Sequence, residues 1–202
     1  MKSNKEDNRT AWEVIEKTYK YAIPTPNQFF ELFQEKLSKT ALPEVWGSTE
    51  PWTTTLLGIF EEIGRDLGFT PRKEYLRLDQ TWEIRLPDIS TIIFALEHEN
   101  TQNVEDVLDD ELQKLMDIKA LLKVLVFYPL VPAMMYEGEF TIPEIQEKIK
   151  SARIKNAEEK YVIMNLVYVK PQSIIEVLAT VFDSAGKGEE LGTFQLSYAS
   201  KN

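Results

Sequence analysis

The chain reads as an α/β fold in which a mixed central sheet carries helices on both faces. Three observations predict it. Helical and strand periodicities alternate through the middle of the sequence. The runs "TIIFALEHE" and "LKVLVFYPL" are apolar without alternation, as strands covered on both faces are. At 202 residues, of which 43% are hydrophobic, the chain can bury one sizeable core.

The elements follow in order. Residues 1–10 are polar, and "AWEVIEKTYKYA" places Trp12, Ile15 and Tyr19 at helical spacing. "PTPNQFFELFQEKLSK" predicts a second helix, with Pro24 and Pro26 outside it, Asn27 as N-cap and a stripe of Phe29, Phe30, Leu32, Phe33 and Leu37. The turn formers of "TALPEVWGSTEPW" read as a linker. Residues 1–50 are therefore expected as a helical extension, and 51–202 as the α/β domain.

That domain opens with the helix "TTTLLGIFEEIGRDLGF", closed by Gly68. "RKEYLRLDQTWEIRLP" alternates as one or two strands, ending before Pro87. "TIIFALEHE" is the central strand, "NVEDVLDDELQKLMDIKAL" a helix and "LKVLVFYPL" a second buried strand. "TIPEIQEKIKSARIKNAEEK" is a helix introduced by Thr141 and Pro143. "YVIMNLVYV", "SIIEVLATVFDS" and "GTFQLSYAS" close the chain as strands, with "DSAGKG" turning between the last two. The glycines of that turn lack the spacing of a phosphate-binding loop. Met134, Met135 and Tyr136 are read as core.

Composition narrows the chemistry. The chain has no cysteine and one histidine, which removes disulfides, thiolate nucleophiles and multi-histidine zinc sites. Its net charge of −10 argues against a general nucleic-acid coat or an anionic membrane surface, and leaves room for a local basic cleft. No apolar run has the length of a membrane span, and no secretion signal is legible. A cytoplasmic protein without a membrane partner is the expectation.

One stretch demands an explanation. "STIIFALEHENTQ" puts Glu97, the single histidine His98 and Glu99 directly after a run that belongs inside a sheet. Alternation places Glu97 and Glu99 on one face and His98 on the other. Asp79 lies in the preceding strand region and can meet Glu97 if the two strands pair, in a hairpin whose register the spacing does not establish. Carboxylates so gathered repel one another unless a divalent cation or a basic side chain neutralises them. Alternatively Glu97 and Glu99 end a strand in solvent and pair with Arg77, Arg85 or Lys123, and His98 is structural. Glu61 and Glu62 lie on the helix before the strands, and Lys114, Asp117 and Lys119 on the helix after them.

A helix with a glutamate, then Asp79, then Glu97-His98-Glu99 closing a hydrophobic strand, then helix and strand: over residues 52–128 this order resembles the PD-(D/E)xK nuclease superfamily. The resemblance implies a restriction endonuclease-like core, α-β-β-β-α-β. It implies Asp79 and Glu97 as ligands of Mg²⁺ or Mn²⁺, with the His98 carbonyl completing the site and Glu62, or its neighbour Glu61, as the helical glutamate. Glu99 occupies the position usually held by lysine, as in some restriction endonucleases, and Lys114 or Lys119 is placed to supply the missing charge. No proline precedes the aspartate, since Leu78 stands there. The function implied is a metal-dependent phosphodiesterase acting on DNA through a local cleft, with Glu99 orienting the attacking water, and as a homodimer for cutting a duplex. A catalytically silent nuclease-like binding or regulatory protein is the alternative.

Overall fold

The computed structural model describes residues 23–46, 49–86, 89–100, 107–128, 142–152 and 158–198. The helix expected over 11–22 and the segment holding Met134, Met135 and Tyr136 lie outside the described residues.

Helices α1 (Pro26–Lys39) and α2 (Thr49–Asp66) lead into an antiparallel meander, β1 (Thr70–Tyr75), β2 (Leu78–Leu86) and β3 (Ile89–Glu99). A π-helical turn, Val107–Glu111, runs into α3 (Leu112–Asp117), followed by β4 (Leu122–Phe127), α4 (Ile142–Ser151), β5 (Lys160–Val169), β6 (Ile174–Asp183) and β7 (Gly188–Ser197). The described strands form one seven-stranded sheet in sequence order. Its centre, β3-β4-β5, is parallel, and both flanks are antiparallel.

Local chemistry explains several boundaries. Thr25, not Asn27, caps α1. The Gln28 N–H donates to its hydroxyl (3.3 Å), the Gln28 side chain accepts from the Thr25 N–H (3.0 Å), and Pro26 takes the first helical position. The segment read as a linker is helical from Thr49, because Pro51 falls in the first turn, where no N–H bond is lost. Gly68, at φ +85°, closes α2 with its N–H donating to the Arg65 carbonyl and the Phe69 N–H to that of Gly64. The helix expected over 103–121 is described as helix only over Leu112–Asp117, after the π-helical turn. β7 starts four residues before the run that predicted it, at Gly188.

Two buried clusters flank the sheet. One joins Phe29, Phe33, Trp52, Leu56 and Phe60 of α1 and α2 to Trp82, Phe94, Leu96 and Val124. Trp82 and Phe94 stack with ring centroids 3.8 Å apart. α1 thus packs in the same core as the sheet. The other joins Leu112, Leu115, Ile145 and Ile149 of α3 and α4 to Ala95, Leu125, Phe127 and Ile163. Helices therefore cover both faces, as the unalternating β3 and β4 require.

Candidate active site

Alternation along β3 sends Phe94, Leu96 and His98 toward the α1/α2 face and Ala95 and Glu97 toward the α3/α4 face. β2 and β3 pair antiparallel, with Gln80 opposite Leu96, so Asp79 falls beside the end of β3. There its Oδ2 accepts the His98 backbone N–H at 2.8 Å. Asp79 and Glu97 are in electrostatic contact, each half or fully withdrawn from water.

The α3 side supplies two more charged groups. Lys114 Nζ lies 3.8 Å from Glu97 Oε2 and 2.6 Å from Glu111 Oε2. Glu111, at the end of the π-helical turn, shares a hydrogen bond with the Glu97 carboxyl. Glu97 Oε1 is buried with no hydrogen-bond partner. The cluster is therefore Asp79, Glu97, Glu111 and Lys114, with half-buried Glu99 two residues further along β3 adding its charge to the field at Asp79.

Burial decides the protonation states. Glu97 is pushed up to about 10, first by desolvation, then by its hydrogen bond to Glu111 and the negative charge of Asp79. It is thus a neutral acid at neutral pH, donating its proton to Glu111. Burial also raises Asp79, against the lowering effect of the His98 N–H, and the charges of Glu111 and Glu99 add to the rise. Glu111 moves the other way. Burial opposes its charge, yet the hydrogen bonds from Glu97 and Lys114 and the positive charges of Lys114 and Arg77 bring it below the usual range. Lys114 is held above its ordinary value because Glu111, Glu97 and Asp79 together outweigh its desolvation.

Other expected residues stand elsewhere. Glu62, proposed as the helical ligand, is on α2, across the sheet from Glu97, and bonds Lys36 of α1 at 3.2 Å. Its neighbour Glu61 pairs with Lys73 (2.9 Å) and Arg65. The His98 ring packs against Tyr128 on the α2 side, where Nε2 and the tyrosine hydroxyl share a 2.7 Å hydrogen bond. Burial lowers this histidine to about 4, so it is a neutral structural group. Two of the basic residues that were to neutralise Glu97 in a solvated reading are engaged otherwise. Arg85 bonds Glu83 (3.2 Å), and fully buried Lys123 donates to Glu159 (2.9 Å) and Tyr161 (3.2 Å). Lys119 is exposed.

Glu111 escaped the sequence reading. The available signal was its spacing of three from Lys114, which puts both on one helical face.

An all-oxygen donor set suits a hard cation such as Mg²⁺, which commonly takes one or two carboxylates and keeps its waters. Among the described residues no group of three His, Asp or Glu side chains is arranged to hold a metal ion. Asp79 and Glu97 supply two donors, and the unpartnered Oε1 of Glu97 is an acceptor in need of a partner. The donor chemistry fits once Glu97 gives up its proton. No family model and no curated protein matches the chain.

Proposed function

We propose that this protein is a divalent-metal-dependent phosphodiesterase of the endonuclease type, acting on DNA. The observation that carries the reading is buried Glu97, with one oxygen unpartnered and the other beside Lys114, facing Asp79 at the open end of β3. The order α2-β1-β2-β3-α3-β4, with β3 and β4 parallel, supports a restriction endonuclease-like core.

Asp79 and Glu97 would hold Mg²⁺ or Mn²⁺. The bound ion would supply Lewis-acid polarisation of the scissile phosphate. Glu99, at the end of the same strand face, accepts a proton from the attacking water as its oxygen bonds to phosphorus. Lys114 stands in for the lysine that the motif position lacks, its ammonium stabilising charge on the phosphoryl oxygens as the bond to the leaving sugar oxygen breaks. Glu111 orients Lys114 and accepts the hydrogen bond of protonated Glu97.

Cleavage of plasmid, single-stranded and branched DNA in Mn²⁺ tests this. The wild type should nick at least one of these substrates and be silenced by chelation. Lys114→Ala should lose about 10²–10³ in rate, and Asp79→Asn should lose metal-dependent cleavage altogether. No cleavage of any substrate, or cleavage indifferent to both substitutions, overturns the reading.

One observation favours a second reading, a nuclease-like scaffold without catalysis. The proton on Glu97 and the 2.6 Å pair between Lys114 and Glu111 already balance much of the cluster's charge without a cation. Stoichiometric metal binding with no cleavage is its expected signature.

A further inference from the structure

The β1–β2 connection sits on the rim of the acidic cluster, with only Leu78 between it and Asp79. Tyr75 pairs directly with Leu78, so the loop is the two residues Leu76 and Arg77. Both have positive φ, +55° and +68°, the signature of a type I′ hairpin turn. That turn favours Asn-Gly, because left-handed backbone strains residues with a Cβ. Leucine and arginine are poor choices for it on local grounds, and neither gains burial there: Leu76 is 52% exposed, one of two large exposed apolar side chains among the described residues.

The charges of the hairpin sharpen the point. Arg72 bonds Glu83 at 2.9 Å, Arg85 bonds the other oxygen of Glu83, and Lys73 pairs with Glu61. These cations belong to the fold. Exposed Arg77 makes no hydrogen bond or ion pair among the described residues, while its charge reaches Glu111 of the cluster. An unpaired guanidinium beside a site proposed to act on phosphodiesters presents its planar donor fork to a phosphate. An exposed leucine next to it offers an apolar contact to a sugar or base.

We infer that the Leu76–Arg77 turn is a substrate-contact element, in which Arg77 grips a DNA backbone phosphate and Leu76 packs against the neighbouring sugar or base. The inference rests on the phosphodiesterase reading and names the residues that position its substrate. Backbone strain at the turn is then the cost of holding these two side chains at the rim.

The test is binding of a fluorescent DNA duplex by anisotropy, in Ca²⁺ and across a salt series, for wild type, Arg77→Gly, Arg77→Lys and the double substitution Leu76→Asn/Arg77→Gly. Glycine suits a φ of +68°, so loss of binding by Arg77→Gly cannot be laid to a strained backbone. Arg77→Gly should bind about tenfold more weakly at low salt, with the slope of log affinity against log salt reduced by about 0.9. Arg77→Lys should keep the slope and lose part of the affinity. The double variant should bind most weakly yet melt about 4 °C higher. Equal affinity and slope for wild type and Arg77→Gly overturn the inference, while wild-type cleavage in Mn²⁺ leaves the phosphodiesterase reading standing. Duplex binding through Arg77 with no cleavage in Mn²⁺ supports the inference and sinks catalysis. Wild-type protein that binds no duplex overturns the inference, and cleavage in Mn²⁺ alone then decides the phosphodiesterase reading.

Discussion

At the scale of single residues, Glu97 carries the account because its charge state is set by burial. Folded, it keeps its proton up to about pH 10; its ordinary value, which the unfolded chain restores, is 4.5. Between those values the folded state holds a proton that the unfolded state has released, so this group makes stability fall as pH rises. Glu97→Gln keeps the size and the hydrogen-bond donor and removes the ionisation. The stability of the variant, read as a urea midpoint, should therefore gain steadily on the wild type between about pH 5 and about pH 9. A difference constant with pH would mean that Glu97 ionises normally in the folded chain. The same substitution should abolish metal binding, since a neutral amide cannot become the carboxylate the ion requires.

At the scale of elements, most of the sheet was legible because its strands obey simple rules. The unalternating runs of β3 and β4 marked the covered centre, and Gly68 marked the end of α2. The misses have physical causes as well. Asn27 looked like a cap, but Thr25 stands one residue before a proline that favours the first helical position. Leu76 and Arg77 hid a hairpin turn, since nothing in their chemistry signals left-handed backbone. Helical periodicity placed Glu61 and Glu62 together without saying which face of the sheet α2 would cover, and that face proved opposite to Glu97. The docking of α2 is itself testable through Gly64, where a Cβ would lie 2.7 Å from Nε1 of buried Trp82. Gly64 lies inside the helix, so alanine gains helix propensity but must displace the indole. Gly64→Ala should cost about 1–3 kcal/mol in a denaturant titration. An unchanged or raised midpoint would show that the helix gives way easily and that α2 is not held by this contact.

At the scale of the whole molecule, a chain of net charge −10 collects carboxylates at one end of a mixed sheet and sets Arg77, unpaired among the described residues, beside them. The sequence offered the convergence of Asp79 on the end of β3 as one outcome of a hairpin, and only the paired strands fixed its register. The inward turn of Glu111 and Lys114 could not be read there, since an amphipathic helix shows its wet face in the sequence whether that face meets solvent or a buried acid. No described helix is long and apolar enough to cross a membrane. The proposed divalent-cation site of Asp79 and Glu97 turns on the Glu97 proton. Calorimetric titration of Mn²⁺ into wild type and Asp79→Asn, repeated in two buffers of different ionisation enthalpy, tests it most directly. Asparagine keeps an oxygen able to accept the His98 N–H, so the variant should fold. Near-stoichiometric binding by the wild type is expected, with release of about one proton per ion, tighter as pH rises, and no binding by Asp79→Asn. Heats no larger than dilution, or binding that the substitution and the buffer leave unchanged, would contradict the proposed site.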